Sequence, residues 1–181
     1  FYVTVRAVNR SFRFVPKRRV RKALEYCLAV ALQEYRDAGK IELYEFEFLS
    51  NHFHLLGQDI TGCLPEFMEY LDSLIAREIN AIHGINGTCI EKGYGLVKLV
   101  GDQRIVDQAV YTLANAVSAF LVALPRHWRS VSSRDMEYGV EKVVEKPEVG
   151  MWKGKNRHAD RRESIRSGRS RYAGRSTLPA T

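Results

Sequence analysis

The sequence predicts an α+β protein, with an antiparallel sheet, two helices on one of its faces and one more helix after the last strand. Three observations carry this. Tyr44, Phe46 and Phe48 alternate with Glu45 and Glu47, which is strand periodicity. Two windows, one before and one after this strand, place apolar residues at the 3.6 spacing of a helix. The resulting order, β-α-β-β-α-β, is the split βαβ or ferredoxin-like (RRM-like) arrangement.

The elements follow in order. Phe1 to Val8 reads as a strand, turned by Asn9-Arg10-Ser11, with Phe12-Arg13-Phe14 a short extended piece. Pro16 is tolerated at a helix start, and Val20, Leu24, Cys27, Leu28, Ala31 and Tyr35 keep the helical period to about Ala38, where Gly39 stops it. A hairpin spans 41–58, with Ser50-Asn51 as its turn. Pro65 opens a second helix to about His83, with Phe67, Leu71, Leu74, Ile75 and Ile79 on its apolar stripe. Thr88 to Val100 reads as a strand or an irregular pair of strands, weakened by Gly93 and Gly95. Asp102 suits an N-cap for a third helix that ends near Leu124-Pro125.

The 181 residues suit one domain and an appendage, with 1–133 as the domain and 134–181 as an extension. Three cysteines without CxxC spacing give neither a disulfide framework nor a zinc knuckle. No run reaches the roughly 18 apolar residues of a membrane span. No leader is read at the start, so the expected setting is reducing and cytoplasmic. Phe1 in place of an initiator Met reads as the start of a fragment. The net charge of +7 lies wholly in 151–181, which holds nine Lys and Arg against two Asp and Glu. Residues 1–22 add eight basic residues and no acid, among them Arg6, Arg10, Arg13, Lys17, Arg18 and Arg19. Basic segments near both ends of the sequence point to a polyanion partner. The segment 151–175, rich in charge, Ser and Gly, is expected to be extended or disordered.

The chemistry centres on Asn51-His52-Phe53-His54. Residues i and i+2 of a strand point the same way. His52 and His54 therefore project together, about 7 Å apart along the strand, close enough to converge on one divalent ion. Two half-exposed hairpin histidines would look the same in sequence, so the pair needs a third partner. The third helix offers it: Tyr111 and Asn115 lie four apart, on one face. An amide oxygen can complete a cation's ligands, and a tyrosine beside a metal-polarised phosphate can attack it.

Together these residues resemble the REP-associated single-tyrosine transposases of the His-hydrophobic-His superfamily of single-stranded DNA nucleases. The likeness covers about residues 2–133. It rests on Asn51-His52-Phe53-His54, on Tyr111-Thr112-Leu113-Ala114-Asn115-Ala116-Val117 and on Trp128 followed by Ser132-Ser133, with Asn9-Arg10 also similar. The resemblance implies that His52, His54 and Asn115 bind Mg2+ or Mn2+, and that Tyr111, on a catalytic helix, is the nucleophile. It further implies a 5′-phosphotyrosine and a free 3′-hydroxyl, with single-stranded or hairpin DNA as substrate. A homodimer that supplies the helix in trans is compatible with it. Three features depart from the family pattern. Ala116 stands where proline is usual, Trp128 is one residue further from the serine pair, and 87–95 lacks the aromatic-basic pattern common there, having Cys89 and Glu91 instead. A reading of a different class is a silent nucleic-acid-binding module of RRM-like fold, although a strand presenting histidine in place of stacking aromatics argues against it.

Overall fold

The computed structural model describes residues 1–150 and 163–166. Along the chain come β1 (Tyr2–Arg6), α1 (Arg18–Arg36), β2 (Ile41–Phe48), β3 (His52–Asp59), α2 (Leu64–His83), β4 (Gly95–Val97) and α3 (Asp102–Ser118). These four strands form one mixed helix-and-sheet unit with strand order β2-β3-β1-β4, each neighbour antiparallel. The first and third strands are thus central. Two further strands, β5 (Glu141–Val144) and β6 (Glu163–Arg166), pair antiparallel as a separate ribbon beside α1.

Alternation sorts the sheet into two faces. Val3 and Val5 of β1 and Ala7 just after it, with Phe46, Phe48, Phe53 and Leu55 of the hairpin, form one buried core with Leu24 and Leu28 of α1 and Phe67, Leu71 and Ile75 of α2. The opposite face carries Thr4 paired with His54 and Arg6 paired with His52. Helix α3 lies across this second face, against β2 and β3. It buries only Thr112, Asn115 and Ala116.

Four sequence expectations need correction. Tyr44 does not share a face with Phe46 and Phe48. A bulge between Leu43 and Glu45 turns it over, into a cluster with Tyr2 and Leu56. The backbones pack tightly beside the bulge: a Cβ on Gly57 would stand 2.4 Å from the Glu42 carbonyl. Asp102 is the first helical residue and Gly101 the N-cap, with no side-chain cap bond. The third helix stops at Ser118, short of Leu124, because Phe120 takes a left-handed backbone (φ 56). Leu121 N–H then donates to the Ala116 carbonyl (3.0 Å) and Phe120 N–H to the Val117 carbonyl (2.9 Å), a Schellman closure. Lastly, Arg13 and Phe14 make a turn and not an extended piece, with Phe14 fully buried.

For the strand or irregular pair of strands expected over 88–100, the structure has one short strand, β4, and an isolated bridge from Ile90 to Ala7. Within the basic tail, Glu163–Arg166 are the described residues, and they are strand. The expectation for 151–162 and 167–175 lies outside the described residues.

The outer edge of β2 is covered by the segment after α3. Phe48 N–H donates to the Val131 carbonyl (2.9 Å), Ser133 N–H to the Phe46 carbonyl (3.0 Å), and the Trp128 indole N–H to the Phe48 carbonyl (2.8 Å). An otherwise open strand edge is thereby satisfied. No described helix is long and apolar enough to cross a membrane.

Candidate active site

The open face of the sheet and α3 enclose a cleft of about 550 Å³. Tyr2, Thr4 and Arg6 line it from β1, His52 and His54 from β3, Gln108 and Tyr111 from α3, and Arg10 and Asn51 from the flanking turns. The two imidazoles have ring centroids 4.8 Å apart at 84°. The Tyr111 ring lies 6.3 Å from His54 and 6.4 Å from Tyr2, edge-on to both.

Hydrogen bonds orient both histidines. The Asn51 amide NH₂ donates to the Arg10 carbonyl (3.3 Å), which turns its oxygen toward His52 Nδ1 at 2.6 Å. That oxygen can only accept, so His52 Nδ1 carries the proton and Nε2 keeps its lone pair. His54 Nδ1 lies 2.7 Å from the Tyr2 hydroxyl and 3.1 Å from Thr4 Oγ1. His54 Nε2 is buried with no hydrogen-bond partner among the described residues. A second-shell bond on one ring nitrogen with the other left free is how a metal-binding imidazole is held.

The electrostatics agree with neutral rings. Burial, then the nearby His52 and Arg6, push His54 down to about 3. Burial and then Arg6 also lower His52. Neutral imidazole is the ligating form. Burial raises the Tyr2 phenol to about 12, so it stays a hydroxyl.

The remaining expected site residues fall in different places. Asn115 is buried (5% exposed) on the side of α3 that faces the sheet, and it does not line the cleft. Gln108, one turn before Tyr111, does line it. Among the described residues no three His, Cys, Asp or Glu side chains are grouped to hold a metal. The two histidines could offer two ligands to a cation, and a third would have to come from an amide, a water or a bound substrate. Arg6 and Arg10 reach the cleft. Lys17, Arg18 and Arg19 are exposed around the start of α1, while Arg13 is partly buried and donates to Ser11 Oγ (3.1 Å).

Sequence reasoning passed over Tyr2, Thr4 and Gln108. The signal was there: Tyr2, Thr4 and Arg6 share one face by strand alternation, and Gln108 is three residues from Tyr111 on one helix face.

Fold and cleft together define a mixed α/β protein that brings two oriented imidazoles and an exposed phenol to one side of an antiparallel sheet. A solved structure of a REP-associated tyrosine transposase bound to a REP hairpin is similar in fold, with a TM-score of 0.60. The likeness covers 74% of this chain and 74% of that one, at 12% identity, and so speaks to the fold alone. No family model and no curated protein matches the sequence.

Proposed function

We propose that the chain nicks and rejoins single-stranded or hairpin DNA, with Tyr111 as nucleophile and a divalent cation, Mg2+ or Mn2+, held by His52 and His54. The observation that carries this reading is the cleft itself: an accessible phenol beside two imidazoles, one with an unpartnered buried Nε2. Residues 1–133 are taken as the working domain, in the ferredoxin-like order, and 134–181 as an extension. Asn115 is kept as the third protein ligand, and this requires a small rotation or inward shift of α3.

The chemistry follows from the donors. The cation, when bound, polarises a non-bridging phosphate oxygen. Tyr111 Oη attacks phosphorus, the bond to the 3′-oxygen breaks, and the phenolic proton is lost as that oxygen becomes a 3′-hydroxyl. The 5′-phosphotyrosine conserves the bond energy, so another 3′-hydroxyl can rejoin the strand by the reverse step. Arg6 and Arg10 flank the cleft and bind phosphates, which fixes register without reading bases. Tyr2 and Thr4 hold His54, and Asn51 holds His52.

The test is a labelled hairpin oligonucleotide with added Mg2+ or Mn2+, resolved on a denaturing gel. Wild-type protein is expected to form a covalent adduct that Tyr111→Phe and His54→Ala both abolish. Tyr111→Phe is expected to keep oligonucleotide binding. An adduct that survives Tyr111→Phe moves the nucleophile elsewhere. A second reading, a catalytically silent DNA-binding module, is favoured by the absence of Asn115 from the cleft lining. It predicts binding with no adduct in the wild type.

A further inference from the structure

A second concave site lies at the outer edge of β2, apart from the cleft. It is a pocket of about 390 Å³ between α1 and the segment that follows α3. Arg21 lines it from α1, and Arg126, Arg129, Ser130 and Arg134 line it from the segment. Lys142 also reaches it, but its charge is taken up by Glu25 at 2.5 Å. Arg134 is likewise committed: it pairs with Asp135 at 3.1 Å and donates to the carbonyls of Pro125 (2.5 Å) and Trp128 (3.2 Å). The guanidinium groups of Arg21, Arg126 and Arg129 have no hydrogen-bond or ion-pair partner among the described residues. The Ser130 hydroxyl beside them is buried and also unpartnered among those residues.

Glu25 and Asp135 also line the hollow but are paired with Lys142 and Arg134, so three unpaired guanidinium groups and an unused hydroxyl leave it with a net positive charge that suits an anion. Guanidinium forks match phosphate oxygens in geometry and charge. The pocket wall is also rigid. Arg134 ties two turns of it, and Trp128, Val131 and Ser133 bond it to the Phe46 and Phe48 backbone. Phe48 ends β2 only four residues before His52, so the pocket and the cleft share one hairpin and lie at the same end of the sheet. Exposed Lys17, Arg18 and Arg19 mark the start of α1 at that end, where the Phe14 N–H meets the Ser50 carbonyl (2.8 Å).

We infer that this pocket binds a phosphate group, and that its occupant is a backbone phosphate of the same DNA strand that enters the cleft. The inference rests on the proposed function for the identity of the polymer, and on the pocket alone for the phosphate. It gives the strand a second anchor, so the scissile phosphate is presented in a fixed register.

The experiment uses the full chain and a fluorescent hairpin oligonucleotide with a single-stranded flank, with binding measured from low to high salt. Arg126→Gln/Arg129→Gln is compared with Arg126→Lys/Arg129→Lys, which keeps the charge. The Gln pair is expected to bind several-fold more weakly, with a salt slope flatter by about 0.7 for one lost single-strand phosphate. The Lys pair is expected to keep most of the slope. A far-UV spectrum and thermal midpoint unchanged from wild type show that the Gln variant is folded, as exposed positions lead one to expect. Equal salt slopes for wild type and the Gln pair overturn the inference. So does inorganic phosphate raising the thermal midpoint of wild type alone while the slopes stay equal, since the pocket would then serve a small phosphate. Adduct formation is scored separately. Loss of slope without any wild-type adduct upholds the pocket and defeats the nuclease reading, and an adduct with equal slopes does the reverse.

Discussion

At the scale of single residues, Tyr2 does the most for the cleft without being a reacting group. Its hydroxyl meets His54 Nδ1 at 2.7 Å, and its ring stacks on the imidazole at 5.3 Å and 11°. Tyr2→Phe keeps the stack and removes the bond. Outer-shell changes of this kind typically cost about 10- to 100-fold in metal affinity, so a Mn2+ titration should show a loss in that range, and excess Mn2+ should restore adduct formation. Unchanged Mn2+ affinity would reduce Tyr2 to a packing residue. Glu47 offers a different test. It is fully buried beside His54 in the ladder, with Arg134 3.9 Å away. Burial raises its carboxyl from 4.5 to about 7, against the pull of Arg134 and the Ala116 backbone N–H. The folded chain thus holds a proton that the unfolded chain gives up between those values. Stability from this group is fully present below about pH 4.5 and is lost as pH rises through about 7. His54, lowered from 6.5 to about 3, works the other way: its share is present above 6.5 and lost on acidification. Comparing Glu47→Gln with wild type at each pH isolates the first effect. The variant should gain thermal midpoint on wild type from pH 5 to about pH 7 and then hold that lead, and a constant difference across this range would place the carboxylate in a better-solvated setting.

At the scale of elements, the end of α3 carries strain. Phe120 sits at the left-handed position of the Schellman closure, where glycine is usual, and its side chain is 95% exposed. A side chain in this backbone region costs about 1–2 kcal/mol, and the exposed ring recovers little by burial. Phe120→Gly should therefore raise the thermal midpoint, corresponding to about 1 kcal/mol, while Phe120→Ala, which keeps the Cβ, should not. A drop with glycine would mean that the ring packs on something in solution. The same stop keeps α3 short, so the chain turns back in time for Trp128 to reach the Phe48 carbonyl. The serine pair has its own use there: Ser133 Oγ donates to Glu45 Oε2 (2.5 Å), and the Tyr138 hydroxyl donates to the other oxygen.

At the scale of the whole molecule, what sequence shows depends on whether the cause is local. The alternation of strands and helices was legible because each apolar stripe meets the same core. His52 and His54 were legible as neighbours because strand period alone aligns them, and α3 could be foreseen across their face because that face needed cover. The Tyr44 bulge was not legible, since a register shift is a property of the pairing with β3 and leaves no mark in the local alternation. Nor was the stop at Phe120, since no rule of composition puts phenylalanine in a left-handed turn. The β5–β6 ribbon hid behind a basic composition in which Glu163–Arg166 looks no different from its neighbours. The place of Asn115 depends on how α3 is rolled about its axis, and four-residue spacing leaves that roll open by tens of degrees.

Helix α3 buries three residues, while α1 buries nine and α2 eight. The nucleophile candidate thus rides on the least anchored helix, and the histidines on a central strand. Local opening free energy follows buried contact. In hydrogen–deuterium exchange, α3 amides should trade long before those of β1 and β3, and at a rate that an added hairpin oligonucleotide slows. Slow exchange in α3 matching that of the central strands would mean a fixed lid. Early exchange would make the helix a shutter, one whose movement admits a strand to the cleft and whose return sets the phenol in place.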